Sequence, residues 1–238
     1  MTNPSVSVII PAFNEEESIG LVLDEIPRDC VNDVIVVDNG STDATTEVAR
    51  RHGATVIEEK ERGYGAACLR GIAHAGSDAD IIVILDGDHS DYPEELPQLL
   101  KPITDDSADF VIGSRVTGQR ERGALGWHQL RGNWLACTLL RWLYRHRFTD
   151  MGPFRAIRRE TLQSFEMVDR TFGWNAEMQA KAIISGTRIV EVPVRYRKRI
   201  GESKISGTVE GTVRAGTKII ATIFKYYPDY LRSLRSVE

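Results

Sequence analysis

The chain reads as an α/β protein built on a mostly parallel, Rossmann-like sheet with helices on both faces. Three observations predict it. Short apolar runs alternate with amphipathic helical stretches, those runs end in polar or acidic residues, and no run reaches the roughly 18 to 20 apolar residues of a spanning helix. The first run, Val6 to Pro11, contains Val8, Ile9 and Ile10, and Asn14 leads into the helical spacing Ile19, Leu21, Leu23, Ile26. Asp33 to Asp38 is a second strand, followed by capping residues Ser41 to Asp43 and a helix to about His52. Ala54 to Glu58 gives a third strand and Gly63 to Ala75 a third helix.

Ile81 to Leu85 continues the series, with a helix from about Pro93 to Lys101, where an early proline is favourable, and a strand at Phe110 to Ile112. Beyond Arg115 the regularity breaks. A loop with Gly118, Gly123 and Gly126 precedes a helix from about Trp127 to His146, then a turn and short strand span Thr149 to Ile157. Helices follow near Arg159 to Phe165 and Trp174 to Ser185, with a strand from Arg188 to Tyr196 and a last helix near Val209 to Tyr227.

The net charge of -4 disfavours a nucleic-acid binder, whose affinity rests on Lys and Arg neutralising phosphates. Acidic residues gather in the first part of the chain, and Arg and Lys dominate from Arg115 to Arg145 and from Arg195 to Lys204, so an anion is expected to meet the second half. Cys30, Cys68 and Cys137 are odd in number and widely spaced, which fits buried thiols in a reducing compartment. The start of the chain lacks a signal-peptide pattern, so the expectation is a cytoplasmic protein, soluble or peripheral on the membrane face.

Ligands of open α/β sheets bind beyond the carboxyl ends of the strands. Asp86-Gly87-Asp88 stands there, two carboxylates two residues apart after an apolar strand. Hard cations such as Mg²⁺ and Mn²⁺ take oxygen ligands, commonly one or two carboxylates plus substrate phosphates. Gly87 between them is expected to let a ligand approach. Pro11-Ala12-Phe13-Asn14-Glu15 and Asp38-Asn39-Gly40-Ser41 form the neighbouring loops, where a carboxylate accepts from a ribose or base edge and Gly40 eases a turn. Gly63-Tyr64-Gly65 opens a helix and is either a plain helix start or a source of backbone N–H groups for an anion.

In this order, Val8 to Glu15, Val36 to Asp43, Gly63 to Ala67, Leu85 to Asp88, Gly113-Ser114-Arg115 and Gly201 to Lys204 resemble the inverting family 2 glycosyltransferases. Within them the likeness is to the polyprenyl-phosphate sugar synthases typified by dolichyl-phosphate mannose synthase. The resemblance implies a GT-A fold over residues 1–207 with a C-terminal helical extension over 208–238. It implies that Pro11, Ala12, Glu15 and Asp38 hold the nucleoside of a nucleotide-diphosphate sugar, and that Asp86 and Asp88 serve the metal and diphosphate. Arg115 and Arg131 would face a phosphate-rich acceptor side, and Arg199, Ser203 and Lys204 would lie on a loop closing over the diphosphate.

Two positions depart from that family. Gln often stands two residues after the second carboxylate as a further metal contact, and Ser90 stands there here, leaving water or Asp91 to complete the coordination. The usual Asp-Asp-Gly is Asp38-Asn39-Gly40. A polyprenyl phosphate acceptor is already an oxyanion and needs positioning only, whereas a hydroxyl acceptor needs a base, for which Asp150 and Glu177 are the candidates.

The helix with Trp134, Leu135, Leu139, Leu140, Trp142 and Leu143 among Arg131, Arg141, Arg145 and Arg147 reads as an interfacial helix, a core helix or a dimer contact. A nucleotidylyltransferase would carry a Gly-rich basic loop after the first strand, and a dinucleotide-binding dehydrogenase G-x-G-x-x-G; neither is present. A noncatalytic sugar-nucleotide-binding partner of a membrane enzyme is the alternative of another class.

Overall fold

One sheet of seven strands runs through the protein in the order β3-β2-β1-β4-β6-β5-β7. The computed structural model describes residues 4–76, 79–201 and 209–235. The strands are β1 (Val6–Ala12), β2 (Asp33–Asp38), β3 (Thr55–Glu58), β4 (Ile81–Ile84), β5 (Phe110–Ser114), β6 (Arg155–Arg158) and β7 (Ile189–Pro193). The helices are α1 (Ile19–Asp24), α2 (Thr45–Arg51), α3 (Tyr64–Ala75), α4 (Leu96–Thr104), α5 (Trp127–Tyr144), α6 (Arg159–Ser164), α7 (Trp174–Ile184) and α8 (Val209–Arg235). A short 3₁₀ turn, Pro93–Glu95, leads into α4.

The apolar runs are continuous because both faces of the sheet are covered. Val8, Ile10, Val34, Val36, Ile81 and Val83 point to one face, where Ile19, Leu23, Ala49 and Leu99 of α1, α2 and α4 meet them. Their alternates Ile9, Ile35, Val37, Ile82, Ile84 and Ile112 point to the other, against Cys68, Leu140, Trp174 and Ile223 of α3, α5, α7 and α8. Each half-pleat therefore has its own layer of helices.

β6 interrupts the parallel order, pairing antiparallel with both β4 and β5. The turn before it, residues 149–154, thereby lies across the carboxyl end of β5, where Gly113 N donates to Phe154 O at 2.8 Å. The last helix runs past Pro228 to Arg235, eight residues beyond the expected Tyr227. It is bound into the main core rather than appended to it: Ile223, Tyr226 and Tyr230 are buried in the same cluster as Ile9 and Ile35. Among the described residues no helix is long and apolar enough to cross a membrane.

Candidate functional site

The carboxyl ends of β1 and β2 are level, Ala12 pairing with Asp38, and the loops leaving them are locked together by side chains. Asn14 N donates to Ser41 Oγ at 2.9 Å, Thr42 N to Asn14 Oδ1 at 2.8 Å, and Ser41 N to Asp38 Oδ1 at 3.0 Å. Asn39 donates from Nδ2 to the carbonyls of Glu59 and Glu61 and accepts at Oδ1 from Gly63 N. Every polar atom of that amide is thus occupied in fixing the loop after β3, so Asn39 positions this rim. Arg62, which the sequence did not single out, lies 3.6 Å over the Phe13 ring and donates to Asn39 O.

Gly63 and Gly65 answer a steric demand. A Cβ on either would sit 2.0 or 2.1 Å from the carbonyl oxygens of Arg170 and Asp169, and Gly63 has φ +151°. The Gly63 N–H goes to Asn39 and the Ala66 N–H to Arg170 O, so this helix start has spent those donors on the protein. A Cβ on Gly87 would meet Ile10, Ile19 and the Pro11 carbonyl oxygen, all at ordinary contact distance.

Past β4 the chain turns sharply through His89, at φ +61°, and buries Asp88, Ser90 and Asp91. Asp88 Oδ1 accepts from Ser90 N at 2.9 Å and from Ser90 Oγ at 2.5 Å. Ser90 therefore buttresses Asp88. Asp88 Oδ2 faces Arg199 Nη2 at 2.7 Å. Burial first, then the charge of Asp88, lifts the Asp86 carboxyl to about 7, against the opposing pull of Arg199 and Arg115. Asp91 has no hydrogen-bond partner at either oxygen, and burial with the charges of Asp86 and Asp88 pushes it well above the carboxylate range.

Arg197 clamps this loop. Its backbone N–H reaches Ser90 O at 2.9 Å, and its guanidinium donates to the carbonyls of His89 and Asp91 and to Glu25, which also contacts His89 Nε2. Glu25 and Arg197 lie 172 residues apart, which is why the sequence did not pair them.

At the end of β5, Arg115 is locked to Asp150 by three bonds, from its backbone N–H and Nε to Oδ2 and from Nη2 to Oδ1, at 2.7 to 2.8 Å. Its guanidinium lies 5.1 Å from the centre of the Tyr196 ring. Burial pushes Asp150 upward, but Arg115 outweighs it and holds the carboxyl below its ordinary value. Glu177 is fully buried and sits elsewhere, accepting from the backbone of Val168 and Asp169 and from Tyr226 Oη, with Lys181 Nζ at 2.9 Å. Each of the two expected bases already has a full set of protein partners. Arg131 stands apart on the exposed side of α5, 5.0 Å over the Trp127 ring. Ser203 and Lys204 lie outside the described residues.

The structure thus gathers Glu15, Asp86, Asp88, Asp91, Arg115 and Arg199 at the carboxyl ends of β1, β4 and β5, with Tyr64 beneath. Burial first, then the nearby charge of Asp86, holds the Tyr64 hydroxyl protonated. Among the described residues no three His, Cys, Asp or Glu side chains converge on one metal position. The donor set nevertheless fits a hard cation: two carboxylates, one already facing a cationic group, agree with a site that takes its remaining oxygens from substrate phosphates.

Residues 7–165 match the family model described as Glycosyl transferase family 2. An uncharacterized glycosyltransferase of Mycobacterium tuberculosis is 38% identical over 218 residues, 90% of this chain and 96% of its own. A dolichyl-phosphate hexose transferase of Haloferax volcanii is 36% identical over 209 residues, 86% of this chain and 88% of its own. An undecaprenyl-phosphate mannosyltransferase of Micrococcus luteus is 34% identical over 223 residues, 87% of this chain and 89% of its own. The fold is shared with glucosyl-3-phosphoglycerate synthase from Mycobacterium tuberculosis, solved in complex with Mn²⁺, uridine diphosphate and glucosyl-3-phosphoglycerate. That match has TM-score 0.76 at 24% identity and covers 94% of this chain and 80% of that one. The sheet order, the matched family and these relatives agree: this chain is a glycosyltransferase of the GT-A fold and belongs to family 2.

Proposed function

We propose that the chain transfers a hexose from a nucleoside-diphosphate sugar to a polyprenyl phosphate at a membrane surface, inverting the anomeric carbon. The observation that carries the acceptor class is the state of the two candidate bases: Asp150 is triply bonded to Arg115 and Glu177 is caged by backbone and Tyr226. A hydroxyl acceptor needs a base within reach of its proton, whereas a phosphate oxyanion needs only to be positioned. The named activities of the Haloferax and Micrococcus relatives point the same way.

In this reading Asp38 and the loop after β1, including Pro11, Ala12, Asn14 and Glu15, hold the nucleoside, and Gly40 allows the turn beside them. Asp86 and Asp88 hold Mg²⁺ or Mn²⁺. When bound, that ion supplies charge neutralisation for the departing nucleoside diphosphate. Arg115, fixed in orientation by Asp150, presents a cation at the acceptor side.

The exposed face of α5 supports a membrane site. Trp127, Trp134 and Trp142 are exposed on it, with Arg131, Arg141 and Arg145 alongside. Aromatic and basic residues on one helix face suit an anionic lipid interface. The same helix braces the acceptor side, since Asn133 bonds Thr149 O and Met151 N on either side of Asp150.

The test is incubation of the protein with Mn²⁺ and UDP- or GDP-hexoses, offering a short-chain polyprenyl phosphate in parallel with the corresponding alcohol and an alkyl glycoside. Transfer to the phosphate alone, with an inverted anomeric centre, is expected. Transfer to the hydroxyl acceptors and not to the phosphate would overturn the reading.

A further inference from the structure

Arg199 lies against Asp88, one of the two carboxylates proposed to hold the metal. Its Nη2 lies 2.7 Å from Asp88 Oδ2 and 3.9 Å from Glu15 Oε1. The other oxygen of Asp88 is held by the backbone N–H and hydroxyl of Ser90, so both carboxylate oxygens are engaged by protein.

The position of Arg199 is built and not incidental. Ile200 N donates to Asp88 O at 3.0 Å, and Arg197 N to Ser90 O at 2.9 Å, so the backbone on either side is laid on the carboxylate loop. The Arg197 guanidinium pins the same segment to Glu25 and to the carbonyls of His89 and Asp91. Asp88 is 5% exposed and the Arg199 side chain 32% exposed, so the guanidinium covers the carboxylate from the solvent side. Its Nε is buried without a hydrogen-bond partner, a donor available to a further anion.

A guanidinium keeps its charge at every working pH, so it competes with a divalent ion for Asp88 throughout. A diphosphate changes the balance, because it offers Arg a bidentate anionic partner. We infer that Arg199 is a resident counter-cation for Asp88, one that opposes binding of a divalent ion alone and transfers to the diphosphate when donor and metal enter together. The inference rests on the reading of the donor as a nucleoside-diphosphate sugar. It makes metal and nucleotide binding mutually dependent, each raising the affinity for the other by the same factor.

Binding of Mn²⁺ alone, followed by its electron paramagnetic resonance signal, tests this with the full chain, Arg199→Gln and Arg199→Lys. If the pair with Asp88 is formed about nine-tenths of the time, Arg199→Gln binds Mn²⁺ without nucleotide about tenfold more tightly than the parent. Arg199→Lys, which keeps a cation, stays near the parent. Adding UDP or GDP strengthens Mn²⁺ binding to the parent and has a smaller effect on Arg199→Gln. Equal or weaker nucleotide-free Mn²⁺ binding by Arg199→Gln would overturn the inference. If neither nucleotide binds any of the three proteins with Mn²⁺, the donor reading fails, while the nucleotide-free comparison still decides the part played by Arg199.

Discussion

Along the rim built from β1, β2 and the loop after β3, most of the contacts run between amide, hydroxyl and backbone groups: Asn14 with Ser41 and Thr42, and Asn39 with the backbone of Glu59, Glu61 and Gly63. Along the rim built from β5, β6 and the segment after β7, the chain is held by ions: Arg115 with Asp150, Arg197 with Glu25, Arg199 with Asp88. The first kind of contact links residues 20 to 28 apart and, being between uncharged groups, does not itself titrate. The second joins distant parts of the chain and places fixed charge where phosphates are expected. One rim is knit by amides and hydroxyls, and the other by cations each paired with a carboxylate.

The comparison breaks most visibly at Asp150. Its carboxylate is fully buried and is the anionic partner of Arg115, so Asp150→Asn leaves a mostly buried guanidinium uncompensated. A loss of roughly 3 to 5 kcal/mol is expected in urea unfolding at neutral pH. The carboxyl is held below its ordinary value, so its contribution is present above pH ~3.9 and disappears as pH falls through the lowered value. The gap between parent and variant should therefore close in acid.

The first rim is tested by Asn39→Asp, the residue common in the family. A carboxylate cannot donate to Glu59 O and Glu61 O, and it sets a negative charge against both. A cost of about 1 to 3 kcal/mol in thermal unfolding follows from leaving those carbonyls without their donor. An unchanged midpoint would mean that the loop after β3 is not held by Asn39.

Gly87→Ala sharpens the comparison from the other end. Its Cβ would meet Ile10 and Ile19 at 3.4 to 3.5 Å, so stability should change by no more than about 0.5 kcal/mol and metal binding should be retained. A large loss of Mn²⁺ affinity would show that the glycine is needed for ligand approach.

How far the sequence could be read follows the same division. The apolar runs from Val8 to Ile112 gave the strands because period-two alternation buries both faces, and the residues after each strand gave Asp38, Asp86, Asp88 and Arg115. What lay beyond reach was the pairing of charges. Nothing in the order of residues says that Glu25 meets Arg197, that Asp150 is consumed by Arg115, or that Glu177, four residues from Lys181, is closed in by Tyr226. The antiparallel β6 was equally hidden, since a four-residue strand carries the same local signature in either direction.

The burial of Tyr226 and Tyr230 also sets an order on biosynthesis. The helical layer of α1, α2 and α4 packs against residues none of which lies beyond Val194, so that side of the sheet can close while the chain is still being made. The opposite layer draws on Ile223, Tyr226 and Tyr230, and Tyr226 completes the cage around Glu177. A nascent chain halted before those tyrosines would carry one finished face and one open apolar face, the state in which a chaperone would find it.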